Sequence, residues 1–356
     1  MTNLKGKRVL VTGGTGSIGS EIVRQVLAQS PQVVRVLSRN ELNQFEFQKV
    51  LKDYPNVRFL LGDIRDKERL RRAVQDIDII FHASALKHVP FCEYNPFEAV
   101  KTNVLGTQNL VEVALDEGVQ RVVAISTDKS VSPTNTMGAT KLLVERLLSA
   151  ANFYRGFNQT VFTAVRFGNV LGSSGSVLPV WKKQIESGGP VTVTDPEMSR
   201  FVMSIPQAVS LVLSACNRAR GGEIFVLKMP VANILDLAKA TINVMAPKFK
   251  QKPEDIGIEF IGRRPGEKEY EELLSREESP YAEELDNMWC LHPSWNRTDQ
   301  PFEMRSFSSQ DEKLLTIEEI EGMLKSQELD GSLTDLGAKY YPPARFDEKD
   351  AWQRSA

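Results

Sequence analysis

The first half of the chain carries apolar runs of strand length with no polar alternation, at 8–13, 33–38, 57–63, 77–83, 121–126 and 161–168. Such runs must be buried on both faces, a condition met by parallel strands covered by helices on either side. Helix-length periodic stretches stand between them, at 17–29, 41–52, 67–75, 96–117 and 136–154. Strand and helix in repetition predict βαβ units, and so an α/β fold with a Rossmann-type doubly wound parallel sheet.

The rhythm loosens after residue 168, where glycine, proline and short mixed segments dominate. Stretches at 205–219 and 233–245 read as helices with one apolar face turned inward to a core. A chain of 356 residues exceeds what one small core organises. The expected division is a dinucleotide-binding Rossmann domain at 1–168, to which later segments return, a smaller substrate-binding lobe at 169–330 and a C-terminal extension at 331–356.

Charge and cysteine content exclude several classes. With 44 Lys and Arg against 46 Asp and Glu, no polyanion-binding surface is implied, and nucleic acid is not an expected partner. Cys92, Cys216 and Cys290 form no CxxC pair and suit buried, reduced thiols in the cytoplasm. No apolar run approaches the roughly 18 residues of a membrane span. The N-terminal run enters a strand too directly for a signal peptide, so a cytoplasmic chain without a membrane span is expected. His82 and His88 read as structural histidines, and no spacing of His, Cys and carboxylates suggests a metal.

The segment TGGTGSIG places Gly13, Gly16 and Gly19 at the end of the first strand and the start of a helix. Glycines there permit a tight turn and close backbone approach, and the helix N-terminus offers N–H groups and a positive dipole end to a pyrophosphate. The end of the second strand selects the dinucleotide: a carboxylate there suits the NAD ribose, whereas an arginine suits the 2′-phosphate of NADP. The chain has Ser38 and Arg39, which favours NADP over NAD. Asp63, at the end of the third strand, is placed to meet the adenine, and a role in capping the following helix is compatible with that.

TGGTGSIG, HASALKHVP at 82–90, KTNVLGTQNL at 101–110, STDKSVSPTN at 126–135, GATK at 138–141 and RFGNVLGSSGSVLP at 166–179 together resemble the extended short-chain dehydrogenases/reductases. More narrowly they resemble the UDP-N-acetylglucosamine 4,6-dehydratases of capsule and flagellin-glycan synthesis, and RRPGEK at 263–268 belongs to the same likeness. The resemblance implies a lyase that oxidises the sugar at C4, eliminates water across C5 and C6, and returns hydride to C6. It extends the NADP contacts to Thr15, Ser17, Ile18, Ile64, Ala83, Ala85, Lys87 and Asn103, and places Lys141 on the nicotinamide ribose.

Thr127, Asp128 and Lys129 supply a hydroxyl, a carboxylate and an amine on adjacent residues, as this chemistry requires. By the resemblance Asp128 is the acid at the C6 oxygen and Lys129 the base at C5. Lysine is a base only with a lowered pKa, which burial beside Lys141 and Lys87 is expected to provide. Met137, one helical turn before Lys141, stands where most relatives carry tyrosine, and a thioether exchanges no proton. Two accounts follow, a non-catalytic NADP-binding module or an enzyme in which another group oxidises C4. The Asp-Lys pair favours the second, with Asp128 acting through Thr127 or water. Met137 also resembles one branch of the dehydratases, and points to retention at C5.

For the UDP-sugar, the likeness implies Asn169 and the 172–177 loop, with Ser176 and Val177, around the diphosphate. Arg200 and Arg263 are the expected cationic partners, with Lys87 and Glu267 at the sugar end. A 4-epimerase shares fold, cofactor and substrate class and is the competing enzyme. Homo-oligomers, built on the helices at 96–117 and 136–154, are expected from the resemblance.

Overall fold

Residues 4–157, 159–293 and 306–329 are described in a computed structural model. The expected C-terminal extension lies outside them. Six strands, β1 (Arg8–Thr12), β2 (Val33–Ser38), β3 (Val57–Leu61), β4 (Ile79–His82), β5 (Arg121–Ile125) and β6 (Val161–Arg166), pair in parallel in the order β3-β2-β1-β4-β5-β6. Each lies within its apolar run and is a residue or two shorter at one end or both, except β2. Beyond β6 the sheet continues with Ile224–Leu227, parallel to it, then Met288–Leu291, antiparallel to that strand, and Ala282–Glu284, antiparallel in turn to Met288–Leu291.

The apolar continuity of the strands has the cause inferred from sequence. Leu10, Val11, Ile80, Phe81, Val122, Val123 and Phe162 are each 0% exposed, so both sheet faces are covered. Helix Ser17–Leu27 lays Ile22, Val23 and Val26 on that core. Burying such side chains contributes about 1.5–3 kcal/mol each. A second core joins Trp181, Leu178, Val191, Val193, Leu237, Ile320 and Leu324, from the helices Val177–Glu186, Ile234–Met245 and Ile317–Leu329 and the strand Val191–Val193. Trp181 donates its indole N–H to the Thr192 carbonyl at 2.7 Å, satisfying its polar atom inside that core.

One local expectation is refined and another corrected. The single helix expected at 96–117 runs without a break from Pro96 to Asp116, with a π-helical turn at Val100–Leu105 inside it. Within the π turn Asn103 is buried, and its amide brackets Leu86, accepting from its N–H at 2.8 Å and donating to its carbonyl at 3.0 Å. That anchor holds the loop after β4 against the helix. Helix Lys67–Val74 is capped by Asp66, which accepts from the Arg69 amide at 2.9 Å, and not by Asp63.

Candidate active site

The strand order reverses between β2-β1 and β4, and in open α/β sheets the carboxyl ends of the strands beside such a reversal hold the ligand. The glycine loop after β1, Ala83 to Lys87 after β4, Thr127 to Lys129 after β5 and Asn169 after β6 all emerge at that edge. At the dinucleotide end, a Cβ on Gly19 would lie 2.2 Å from the Gly13 carbonyl oxygen, so only glycine lets the helix begin this close to the turn. No side chain caps that helix, which keeps its N-terminus open to an anion. Thr15 and Ser38 join their hydroxyls at 2.7 Å, tying the loop to the end of β2.

Arg39 is half-exposed and lies 3.5 Å from Asp63. Asp63 accepts from the Arg65 side chain at 2.7 Å. Partial burial tends to raise the Asp63 carboxyl, and the Arg65 hydrogen bonds outweigh it, so it titrates below the usual carboxylate range. Ile64 packs where a Cβ on Gly106 would sit, and Ile18 packs on the main core. Ala83 continues the backbone pairing of β4 with its amide on the Thr12 carbonyl at 3.0 Å, and Ala85 lies two residues on. Ser17 reaches across to the 172–177 loop, its hydroxyl accepting from the Ser174 amide at 2.9 Å. The start of the first helix and the 172–177 loop are thereby tied together. A glycine turn and an open helix N-terminus offer N–H donors to a pyrophosphate, with Ser38, Arg39 and Asp63 beside them for a ribose, and the residues fit a nicotinamide dinucleotide.

Helix Thr136–Tyr154 packs against β6 and the turn Asp128–Ser130. Gly138 allows the approach, since a Cβ there would lie 2.1 Å from the Lys129 carbonyl oxygen. Lys141 donates to the Ile125 carbonyl at 2.8 Å, and burial pushes it down to about 8, opposed by Glu145. Met137 does not face the cavity described below: it is 4% exposed and packs with Cys92 and Ala99 beneath Leu86 and Val89. His82 is a structural histidine, bonded to Thr12 at 2.7 Å and Thr107 at 3.1 Å, with burial holding it down to about 3. His88 borders the cavity, packed against Gly175 and Phe91.

Asp128 is fully buried. Its Oδ1 accepts from the Thr127 hydroxyl at 2.8 Å and from Lys129 Nζ at 2.9 Å, while its Oδ2 has no partner. The expectation for Lys129 is overturned. Burial does tend to lower it, but Asp128 and then Glu271, 3.6 Å away, outweigh that and hold the ammonium above its ordinary value. Neither Lys141 nor Lys87 sets its protonation. Lys87 itself is lowered by desolvation.

A cavity of about 310 Å³ opens beside Lys129. Lys87, Asn169, Ser176, Val177, Arg200 and Glu267 line it, and Asn169 Oδ1 and Ser176 Oγ are buried with no partner. Arg263 is not among its walls: it is exposed and paired with Asp195 at 2.5 Å and Glu269 at 2.9 Å, whereas the neighbouring Arg264 does line the cavity. Arg200 is 4% exposed and donates to the carbonyls of Ser199, Lys268 and Glu269 at 2.7, 2.6 and 2.9 Å, so it shapes the wall. Glu271, also in the wall, was not singled out from sequence. It sits in an acid-rich run, EYEELL, with no local pattern to mark it.

Fold and site define an extended Rossmann protein of the short-chain dehydrogenase/reductase type. The profile of the family described as polysaccharide biosynthesis protein matches residues 9–293, and the chain belongs to that family. It is 55% identical over 324 residues to an uncharacterized membrane protein of Methanocaldococcus jannaschii, covering 90% of this chain and 96% of that one. A UDP-N-acetylglucosamine 4,6-dehydratase (inverting) of Campylobacter jejuni is 43% identical over 83% of this chain and 85% of its own length. A UDP-glucose 4-epimerase of Rickettsia canadensis is 41% identical over 80% and 82%. The X-ray structure of Pen from Bacillus thuringiensis, 44% identical, superposes with a TM-score of 0.87 over 91% of this chain and 99% of that one. Among the described residues no helix is long and apolar enough to cross a membrane.

Proposed function

We propose that this chain is an NADP-dependent UDP-N-acetylglucosamine 4,6-dehydratase. The observation that carries the reading is the Asp128-Lys129 pair at the end of β5, one member fully buried and the other in the cavity wall. Two adjacent groups of opposite charge supply both a proton donor and a proton acceptor, which a C5–C6 elimination needs and a binding module does not. Likeness to the Campylobacter dehydratase supports the same substrate class.

Gly13 to Gly19 would hold the NADP pyrophosphate, Arg39 its 2′-phosphate and Lys141 its nicotinamide ribose. Bound there, the cofactor supplies hydride acceptance from C4 and hydride return to C6. The chain's own residues handle protons. Thr127, hydrogen-bonded to Asp128, passes the C4 hydroxyl proton to that carboxylate, which later delivers it to the departing C6 oxygen. Lys129 takes the C5 proton as the neutral amine, once the ammonium held by Asp128 and Glu271 has shed a proton, and gives it back. Asn169, Ser176 and the N-terminus of helix Val177–Glu186 face the diphosphate, with Arg264 as the cation that lines the cavity.

The epimerase reading is favoured by the Rickettsia relative and opposed by Lys129, since an epimerisation at C4 removes no proton from C5 and needs no second base beside Asp128. Turnover of UDP-N-acetylglucosamine in D2O, followed by mass and NMR, separates them. Loss of one water with deuterium at C5 is the expected result; an unchanged mass with a new sugar establishes an epimerase, and no reaction on any nucleotide sugar a binding module. Retention at C5 is expected from Met137, and inversion would align the chain with the Campylobacter enzyme. Asp128→Asn should abolish oxidation together with elimination, and a variant that still oxidises C4 refutes the double role of Asp128.

A further inference from the structure

Ser17 holds the first position of helix Ser17–Leu27, where its amide is one of the N–H groups open to an anion. Its side chain turns elsewhere. The hydroxyl accepts from the Ser174 amide at 2.9 Å and shares a second bond with the Ser174 hydroxyl at 3.0 Å. Two of the bonding positions of one hydroxyl are thereby taken by a single residue of the 172–177 loop.

That loop runs between the short strand Asn169–Val170 and helix Val177–Glu186. Gly172 and Gly175 take left-handed φ angles of 76° and 71°, and a Cβ on Gly175 would lie 2.2 Å from His88. Within the loop the Ser176 amide donates to the Ser173 carbonyl at 3.0 Å. Ser17 is what fastens it to the first helix. At its end the loop presents Ser176, a wall residue whose Oγ is buried with no partner, and the N-terminus of helix Val177–Glu186, which no side chain caps.

We propose that Ser17 is a positioning residue for the UDP-sugar: its hydroxyl fixes the 172–177 loop so that Ser176 and the N-terminus of helix Val177–Glu186 meet the diphosphate, and only its amide serves the cofactor. The proposal rests on the reading of that loop as the diphosphate wall. A loop already tied down by two hydrogen bonds need not be ordered when the ligand binds, so the entropy of ordering it does not count against affinity. The benefit falls on the UDP-sugar, although the resemblance places Ser17 with the cofactor.

The test is calorimetric titration of UDP into the full-length protein saturated with NADP, for wild type, Ser17→Ala, Ser174→Ala and the double variant, with NADP retention through gel filtration measured alongside. Ser17→Ala removes both bonds and should weaken UDP by about tenfold. Ser174→Ala keeps its amide on Ser17, loses only the hydroxyl pair, and should weaken UDP by about threefold. The double variant should match Ser17→Ala, because nothing is left for the second substitution to break. KM for UDP-N-acetylglucosamine should rise in the same order, with NADP retained as in wild type. Unchanged UDP affinity in Ser17→Ala, additive losses in the double variant, or loss of NADP with UDP affinity intact overturns the assignment. If Ser17→Ala does not fold, unchanged UDP affinity in Ser174→Ala overturns it. A wild type that binds no UDP overturns the reading of the loop and this inference with it. UDP binding in the expected order without turnover of any UDP-sugar supports the assignment and overturns the dehydratase reading alone.

Discussion

Arg166 is the largest fully enclosed charged side chain, at 0% exposure. It donates to Glu145 through Nε at 3.0 Å and Nη2 at 2.7 Å, to Glu278 through Nη1 at 2.8 Å and Nη2 at 2.9 Å, and to the Leu273 carbonyl at 3.0 Å. Glu145 also accepts the hydroxyls of Ser126 at 2.6 Å and Ser130 at 2.9 Å, so the network brackets Thr127 to Lys129 from both ends. Arg166→Met keeps most of the volume and leaves two enclosed carboxylates without their cation. Removing one partner of a buried ion pair costs about 3–5 kcal/mol. At the low end of the size scaling, about 2 °C per kcal/mol, the thermal midpoint should fall by about 6–10 °C. Burial tends to raise the Glu278 carboxyl and Arg166 outweighs it, so its folded pKa lies below the unfolded value. The stability this adds is present at neutral pH and lost as pH falls through the folded pKa. In Arg166→Met burial acts on the Glu278 carboxyl without the opposing Arg166, and its protonation in mild acid relieves the unpaired charge. Thermal unfolding followed by circular dichroism should therefore show the gap between variant and wild type narrowing as the pH is lowered from neutral. A loss under about 1 kcal/mol, or a gap independent of pH, refutes the reasoning.

His82 gives an acid dependence of its own. Held neutral by burial at about 3, it favours the fold fully above the ordinary histidine pKa, and stability should decline as pH falls from there; guanidinium midpoints of wild type and His82→Gln between neutral and mildly acid pH check this, the variant having the shallower slope. Arg39→Glu should weaken NADP by about 10–100-fold relative to NAD, the worth of one charge-assisted hydrogen bond. Competitive reloading of stripped protein with the two nucleotides measures it, and an unchanged preference would make Arg39 a solvated surface charge.

What was legible from sequence is what chain-local pattern controls. The apolar continuity of β1 to β6 follows from two-sided burial, and the Gly13 to Gly19 spacing from a turn that admits no Cβ. The same locality explains the failures. Arg263 and Arg264 are adjacent, and only Asp195 and Glu269, brought up by the fold, decide that the first pairs outside while the second faces the cavity. Burial of Lys129 was inferable, but the sign of its shift was not, because Asp128's orientation and the arrival of Glu271 outweigh desolvation. The π turn inside the 96–117 helix carries Asn103, which finds Leu86 across a loop, a contact no helical period encodes.

Met137 gains a physical meaning from its surroundings. A phenol at that position would bring a hydroxyl into the apolar packing of Cys92, Ala99, Leu86 and Val89, where it would need a partner or a path outward; a thioether fills the space with neither requirement. Lys141 stands one turn on, where on the proposed reading it meets the cofactor, while residue 137 carries no proton to exchange. On the proposed reading that role passes to the end of β5, where Thr127, Asp128 and Lys129 meet Glu271. A tyrosine on a helix can act alone because its hydroxyl both gives and takes a proton. At the end of β5 the Thr127 hydroxyl can give and take a proton as a phenol does, and the Asp128 carboxylate it donates to at 2.8 Å is the proton sink an aliphatic hydroxyl lacks, so on that reading the carrier lost at 137 is replaced by a hydroxyl and a carboxylate acting together.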